Sequence, residues 1–122
     1  NEPKKPPMEN NAFIQQKMIE YIYNHFNEEI ILDDIAHAGN VSRSQCAKIF
    51  KKYAHLSPMN FLNKHRLEIS LHLLRSTTNS VAEIAQSCDF FDQSYFNRLF
   101  LREYGCTPLA YRKSGWTTPS IS

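Results

Sequence analysis

One pattern occurs twice in this chain, at a spacing of about fifty residues, and it restricts the fold more than any other feature. Leu32-Asp33-Asp34-Ile35-Ala36 leads to a turn at Gly39-Asn40, and a helical stretch then runs from Ser42 through Ile49-Phe50 to Tyr53. Val81-Ala82-Glu83-Ile84-Ala85 leads to a turn at Cys88-Asp89-Phe90, and Asp92 runs through Leu99-Phe100 to Tyr104. Leu56-Ser57-Pro58 closes the first copy and Cys106-Thr107-Pro108 the second. Ile35 and Ile84 lie 49 positions apart, whereas Ser42/Asp92, Phe50/Phe100 and Pro58/Pro108 lie 50 apart, so the second turn is one residue longer. A short helix, a tight turn and a second helix with one apolar face is the arrangement that sets the second helix into the major groove of DNA. Two copies imply two reading heads.

With 122 residues the chain is one domain with a modest core. Three glycines and six prolines leave long stretches free for helix. No apolar run approaches the roughly 18 residues that span a membrane, and no secretory leader is visible, which points to the cytoplasm. Residues 1–10 (NEPKKPPMEN) read as a linker from a missing N-terminal domain, so an ordered domain over 11–115 and a flexible tail over 116–122 are expected. The three cysteines are scattered and lack C-x-x-C spacing, which argues against both a disulfide framework and a zinc site. Cys46 takes an apolar helix position and reads as a small buried residue. His65 and His72 share a helical spacing but have no carboxylate partners for a metal, so they read as surface histidines. No cofactor is called for, and no clustered nucleophile and base suggests an enzyme.

Net charge is only +2, but it is unevenly placed. Residues 43–75 carry +6, residues 98–113 carry +3 and residues 17–34 carry −4. The basic stretches coincide with the second helix of each repeat and the segment just after it, where a phosphate backbone would lie. Arg43, Lys51, Lys52, Arg102, Arg112 and Lys113 are the expected phosphate contacts.

The coarse secondary structure is helical throughout. A first helix over about Ala12–Phe26 lines Ile14, Met18, Ile22 and Phe26 along one face, suited to packing across the first helix-turn-helix. The helix-turn-helix units span about 32–53 and 81–104, with Ser42 and Asp92 as N-caps. Asn40 and Asp89 take the turn position that wants left-handed backbone. Ser57-Pro58 opens a connecting helix over about 57–75, and Thr107-Pro108 opens a last short one through Arg112. At about 1.5 Å per residue the connector spans roughly 28 Å, near the 34 Å of one DNA turn. It is long enough to serve two successive major grooves.

The faces of the two second helices separate cleanly. Cys46, Ile49, Phe50 and Tyr53 point inward in the first, leaving Ser44, Ala47 and Lys48 outward with Gln45 on the shoulder. In the second, Phe96, Leu99 and Phe100 point inward and Gln93, Ser94, Asn97 and Arg98 outward. Arg pairs with guanine O6/N7 and Gln or Asn with adenine N6/N7, so these eight outward residues are the expected base readers, and the second head carries the greater share of specificity.

The segment from Ile84-Ala85 through Cys88-Asp89-Phe90-x-Asp92-x-Ser94-Tyr95-Phe96-x-Arg98-x-Phe100, with Gly105-x-Thr107-Pro108-x-x-Tyr111-Arg112, resembles the C-terminal signature of the AraC/XylS family of bacterial transcription regulators. Leu32, Ile35-Ala36, Ser42, Phe50-Lys51-Lys52, Ser57-Pro58 and Arg66-Leu67 resemble that family's first helix-turn-helix and connector. The resemblance implies an all-α, homeodomain-like fold of seven helices in two helix-turn-helix subdomains joined by a long connecting helix. It also implies a sequence-specific DNA-binding domain of a transcription regulator, more often an activator, with double-stranded DNA and RNA polymerase as partners. Effector sensing and dimerisation would belong to the missing domain, leaving this fragment monomeric. The family usually has glycine where this chain has Asp89 and His55, and a basic residue where it has Leu101. His55 thus suggests a different ending for the first recognition helix, and Leu101 replaces an expected phosphate contact with an apolar side chain.

Overall fold

The computed structural model describes residues 7–114, with side chains from Asn10 onward. Most of the expected linker and the whole of the expected tail lie outside these residues. Among the described residues there are seven α-helices and no strand: α1 (Pro7–His25), α2 (Leu32–Ala38), α3 (Arg43–Ala54), α4 (Pro58–Ser76), α5 (Val81–Ser87), α6 (Gln93–Tyr104) and α7 (Pro108–Lys113). The chain forms two compact units that divide between His65 and Arg66, within α4.

The starts of α2 to α7 are made locally. Ser42 Oγ accepts from the Gln45 N–H at 3.1 Å, Ser57 Oγ from Asn60 at 3.1 Å, and Thr107 Oγ1 from Ala110 at 3.1 Å. Asp92 Oδ1 accepts from the Ser94 N–H at 2.9 Å. Ser80 and Glu83 cap α5 reciprocally, and Asp34 reaches back to the Ile31 N–H at the start of α2. The first helix begins earlier than the apolar pattern suggested. Residues 7–10, expected as linker, are helical, because a proline is tolerated in the first turn, where its missing N–H has no intrahelical partner.

Asn40 (φ 57°) and Asp89 (φ 64°) hold the left-handed turn positions. His55 (φ 61°) ends α3 as Gly105 (φ 79°) ends α6, each N–H bonding four residues back, to Lys51 O and Leu101 O. The different ending expected at His55 is therefore not found. A glycine-type C-cap is held by histidine, at the strain a β-carbon brings to this region.

In the first unit, Met18 and Ile22 of α1 are fully buried with Ile35, Cys46, Phe50 and Leu62. The helix docks closely because Gly39 lacks a side chain: a β-carbon there would stand 2.8 Å from Met18 Cγ and 2.9 Å from Ile14 Cγ2. His65 packs on this unit too, with its ring centroid 4.5 Å from that of Tyr23 and 5.2 Å from that of Phe26. It is therefore part of the packing rather than a purely surface group.

The second unit is built on aromatics. Phe96 and Phe100 are fully buried, with ring centroids 5.8 Å apart, and Phe90, Tyr104 and Tyr111 stack around them at 4.8–5.9 Å. Edge-to-face pairs at such separations add about 0.5–1.5 kcal/mol each beyond area burial. Both units thus hold their second helix by an inward stripe and leave its opposite face free.

Candidate nucleic-acid interface

The outward face of α3 carries Arg43, Ser44, Gln45, Ala47, Lys48, Lys51 and Lys52, all exposed. Cys46, Ile49 and Phe50 are buried, as their helical spacing predicts, and Tyr53 is half-buried. Lys48, Lys51, Lys52 and His55 line a shallow open cleft whose far wall is Ser57 and Asn60 at the start of α4. His55, Ser57 and Asn60 escape a reading of the recognition helix alone. The cleft forms because the left-handed cap at His55 turns the chain back beside the last turn of α3.

Arg43, expected on phosphate, is engaged within the protein. Its guanidinium pairs with Asp33 of α2, Nη2 donating to Oδ2 at 3.0 Å. The hydrogen bond from Arg43 and its charge hold the Asp33 carboxyl below its ordinary pKa. Both side chains are exposed, so the pair competes weakly with solvent and with any phosphate that approaches.

On α6, Gln93, Ser94 and Arg98 are exposed, whereas Asn97 is half-buried. The Oδ1 of Asn97 is closed off from solvent and has no hydrogen-bond partner, a condition that costs about 1–3 kcal/mol for a buried acceptor. A rotation that brings this amide outward relieves the deficit. Arg98 lies over the ring of Tyr95, its Cζ 5.6 Å from the centroid, which gives the guanidinium a preferred direction before any ligand arrives. Tyr95 is thus a supporting residue that face analysis did not single out. The spacing of three between the two residues was its only signal.

The remaining basic residues differ among themselves. Arg102 and Lys113 are exposed, Lys113 on the last turn of α7. Arg112 is engaged within the protein: its Nε donates to Leu74 O at 3.0 Å, its Nη2 to Thr77 O at 3.1 Å and its Nη1 to Asn79 O. It ties α7 to the end of α4 and to the turn between α4 and α5, which corrects its expected role. Leu101 is 48% exposed.

Cys46 and Cys88 are buried. Burial pushes the Cys46 thiol up to about 11 and raises that of Cys88, so neither supplies a thiolate near neutral pH. Among the described residues no group of three metal-binding side chains assembles, and no helix is long and apolar enough to cross a membrane.

The helix-turn-helix domain family profile matches residues 35–114, from the first helix-turn-helix through α7. The helix-turn-helix-type transcriptional regulator YdeC of Bacillus subtilis (strain 168) is 36% identical over 98 residues, covering 80% of this chain and 34% of its own length. The transcriptional activator RhaS of Enterobacter sp. (strain 638) is 33% identical over 106 residues, covering 87% of this chain and 38% of its own. The chain therefore spans roughly a third of the length of the curated relatives it matches. The DNA-binding domain of the transcriptional factor AdpA, solved in complex with a target DNA, shares the fold at a TM-score of 0.78, with 24% identity over 83% of this chain and 90% of that one. With the paired helix-turn-helix units and the matching profile, the chain belongs to the AraC/XylS family of transcription regulators, as a DNA-binding domain.

Proposed function

We propose that this chain is the operator-reading part of a bacterial transcription activator, working in the cytoplasm and setting α3 and α6 into successive major grooves. The observation that carries the reading is the repeated design of α3 and α6: each buries one apolar stripe and exposes a polar, basic face at the second position of a helix-turn-helix. Ser44, Gln45, Ala47 and Lys48 read bases from the first head, and Gln93, Ser94, Asn97 and Arg98 from the second. Lys51, Lys52, Arg102 and Lys113 grip phosphate, and Arg43 joins them when it leaves Asp33. The DNA-bound state of the AdpA domain supports this role for the shared fold. The greater length of YdeC and RhaS supports a whole protein in which effector sensing and dimerisation lie outside the present chain, leaving it monomeric. The exposed Leu101 supports a second contact, with RNA polymerase.

Selection of bound duplexes from random sequence tests the reading. Two enriched clusters about one helical turn apart, with affinity falling steeply in salt, are expected. Arg98→Ala relaxes the preference at one base position. Weakening of all sequences alike would make Arg98 a phosphate contact, and absence of any enrichment would defeat the proposal.

A further inference from the structure

The second helix-turn-helix contains one residue that the first lacks, and the backbone identifies it. The Val41 N–H bonds to Ala36 O at 3.0 Å and the Phe90 N–H to Ala85 O at 2.8 Å, each directly after the left-handed residue of its turn. Val41 and Phe90 are therefore equivalents, and both pack into the core of their own unit. The next residue in the first copy is the cap Ser42, whereas in the second Phe91 intervenes before the cap Asp92. Phe91 is the insertion.

This residue adds nothing to the core. An apolar side chain just before an N-cap ordinarily folds onto the fourth helical residue, here Phe96. That position is already covered by Phe90, whose ring centroid lies 5.0 Å from that of Phe96. Phe91 is left 86% exposed, more than any other large apolar side chain among the described residues. It stands at the N-terminal end of the recognition helix, the end that approaches base edges. Gln93 and Ser94, the first two residues of the helix it precedes, and Arg98 further along it supply hydrogen-bonding groups. The one apolar group on the major-groove edge of a base pair is the thymine 5-methyl.

We propose that Phe91 is a specificity residue of the second head, recognising the 5-methyl group of a thymine next to the bases met by Gln93, Ser94 and Arg98. The inference rests on the DNA-reading function proposed above. The thymines of a duplex selected by the 122-residue chain are replaced singly by deoxyuridine, which removes only the methyl, and affinity is measured for the chain, Phe91→Ala and Phe91→Leu. At one position deoxyuridine weakens the chain about fourfold, the effect of uncovering one methyl-sized group. Phe91→Ala weakens binding to the thymine duplex at least as much and is indifferent to the methyl at that position, while Phe91→Leu keeps the thymine preference. All three proteins melt alike, because the side chain is outside the core. Unchanged affinity of Phe91→Ala, or equal sensitivity to deoxyuridine in the chain and Phe91→Ala, overturns the assignment of Phe91 and leaves DNA reading intact. Failure of the chain to select any duplex overturns DNA reading itself, and the inference with it.

Discussion

Asp89 combines a strained backbone with a buried charge, and the two have opposite consequences for its replacement by the glycine usual in the family. Its left-handed φ of 64° favours glycine, and relief of the β-carbon contact gains about 1–2 kcal/mol, less about 0.5–1 for the entropy glycine loses on folding. Against this stands Arg66, whose Nη2 lies 3.2 Å from Asp89 Oδ2, with the two side chains only 8% and 18% exposed. Burial pulls the Arg66 guanidinium below its ordinary pKa, and the Asp89 carboxylate opposes that pull. Taking one partner from a buried ion pair costs about 3–5 kcal/mol. Arg66 keeps a further interaction of its own, so the lower end applies. The loss wins: Asp89→Gly destabilises by about 2 kcal/mol, which for a chain of this length lowers Tm by about 8 °C.

Thermal melts followed by circular dichroism measure this directly. Asp89→Asn isolates the charge, because asparagine tolerates the left-handed backbone and still offers Arg66 an acceptor; it falls between the parent and the glycine variant. Combining Arg66→Met with Asp89→Gly removes the buried charge together with its partner and recovers most of the loss. An Asp89→Gly variant as stable as the parent, or more stable, would refute the reasoning and leave backbone strain as the governing factor.

At His55 the same backbone argument has no opposing ion pair, so His55→Gly is stabilising by about 0.5–1 kcal/mol and raises Tm by a few degrees; a lower Tm would show that the imidazole itself stabilises the C-terminus of α3. Arg112→Lys keeps the charge but loses the planar fork that meets three carbonyls, and lowers Tm by an amount equivalent to about 2 kcal/mol. Arg112→Met, which removes the charge, leaves the salt dependence of DNA affinity unchanged, whereas Lys51→Ala shallows the slope by about one unit; a shallower slope for Arg112→Met would return it to the phosphate set.

Features with local causes were legible in the sequence. Ser42, Ser57, Asp92 and Thr107 announce helix starts because a cap bonds a backbone amide only two or three residues on, and the spacing of Ile49-Phe50 and Leu99-Phe100 reports which face is inward. The features that escaped are tertiary. Asp89 and Arg66 are 23 positions apart, and Arg112 bonds carbonyls 33 to 38 positions away. In the sequence, an arginine that faces phosphate looks the same as one that faces a helix end, since both sit in a basic stretch.

Phe91 is a mixed case. The change of offset from 49 to 50 revealed that the second turn holds an extra residue, but not its orientation, because a phenylalanine before a cap is by default a packing residue. Only the prior occupation of that site by Phe90 leaves Phe91 outside. The residues that hold the two heads are set by periodicity, whereas the differences between the heads arise from competition for space and for acceptors. The first head has a shorter turn, a cation-lined cleft and an arginine held by Asp33. The second has an inserted aromatic, an arginine laid on Tyr95 and an asparagine with an unmet acceptor. The greater share of specificity proposed for the second head rests on these groups of the second head, which the first head does not repeat.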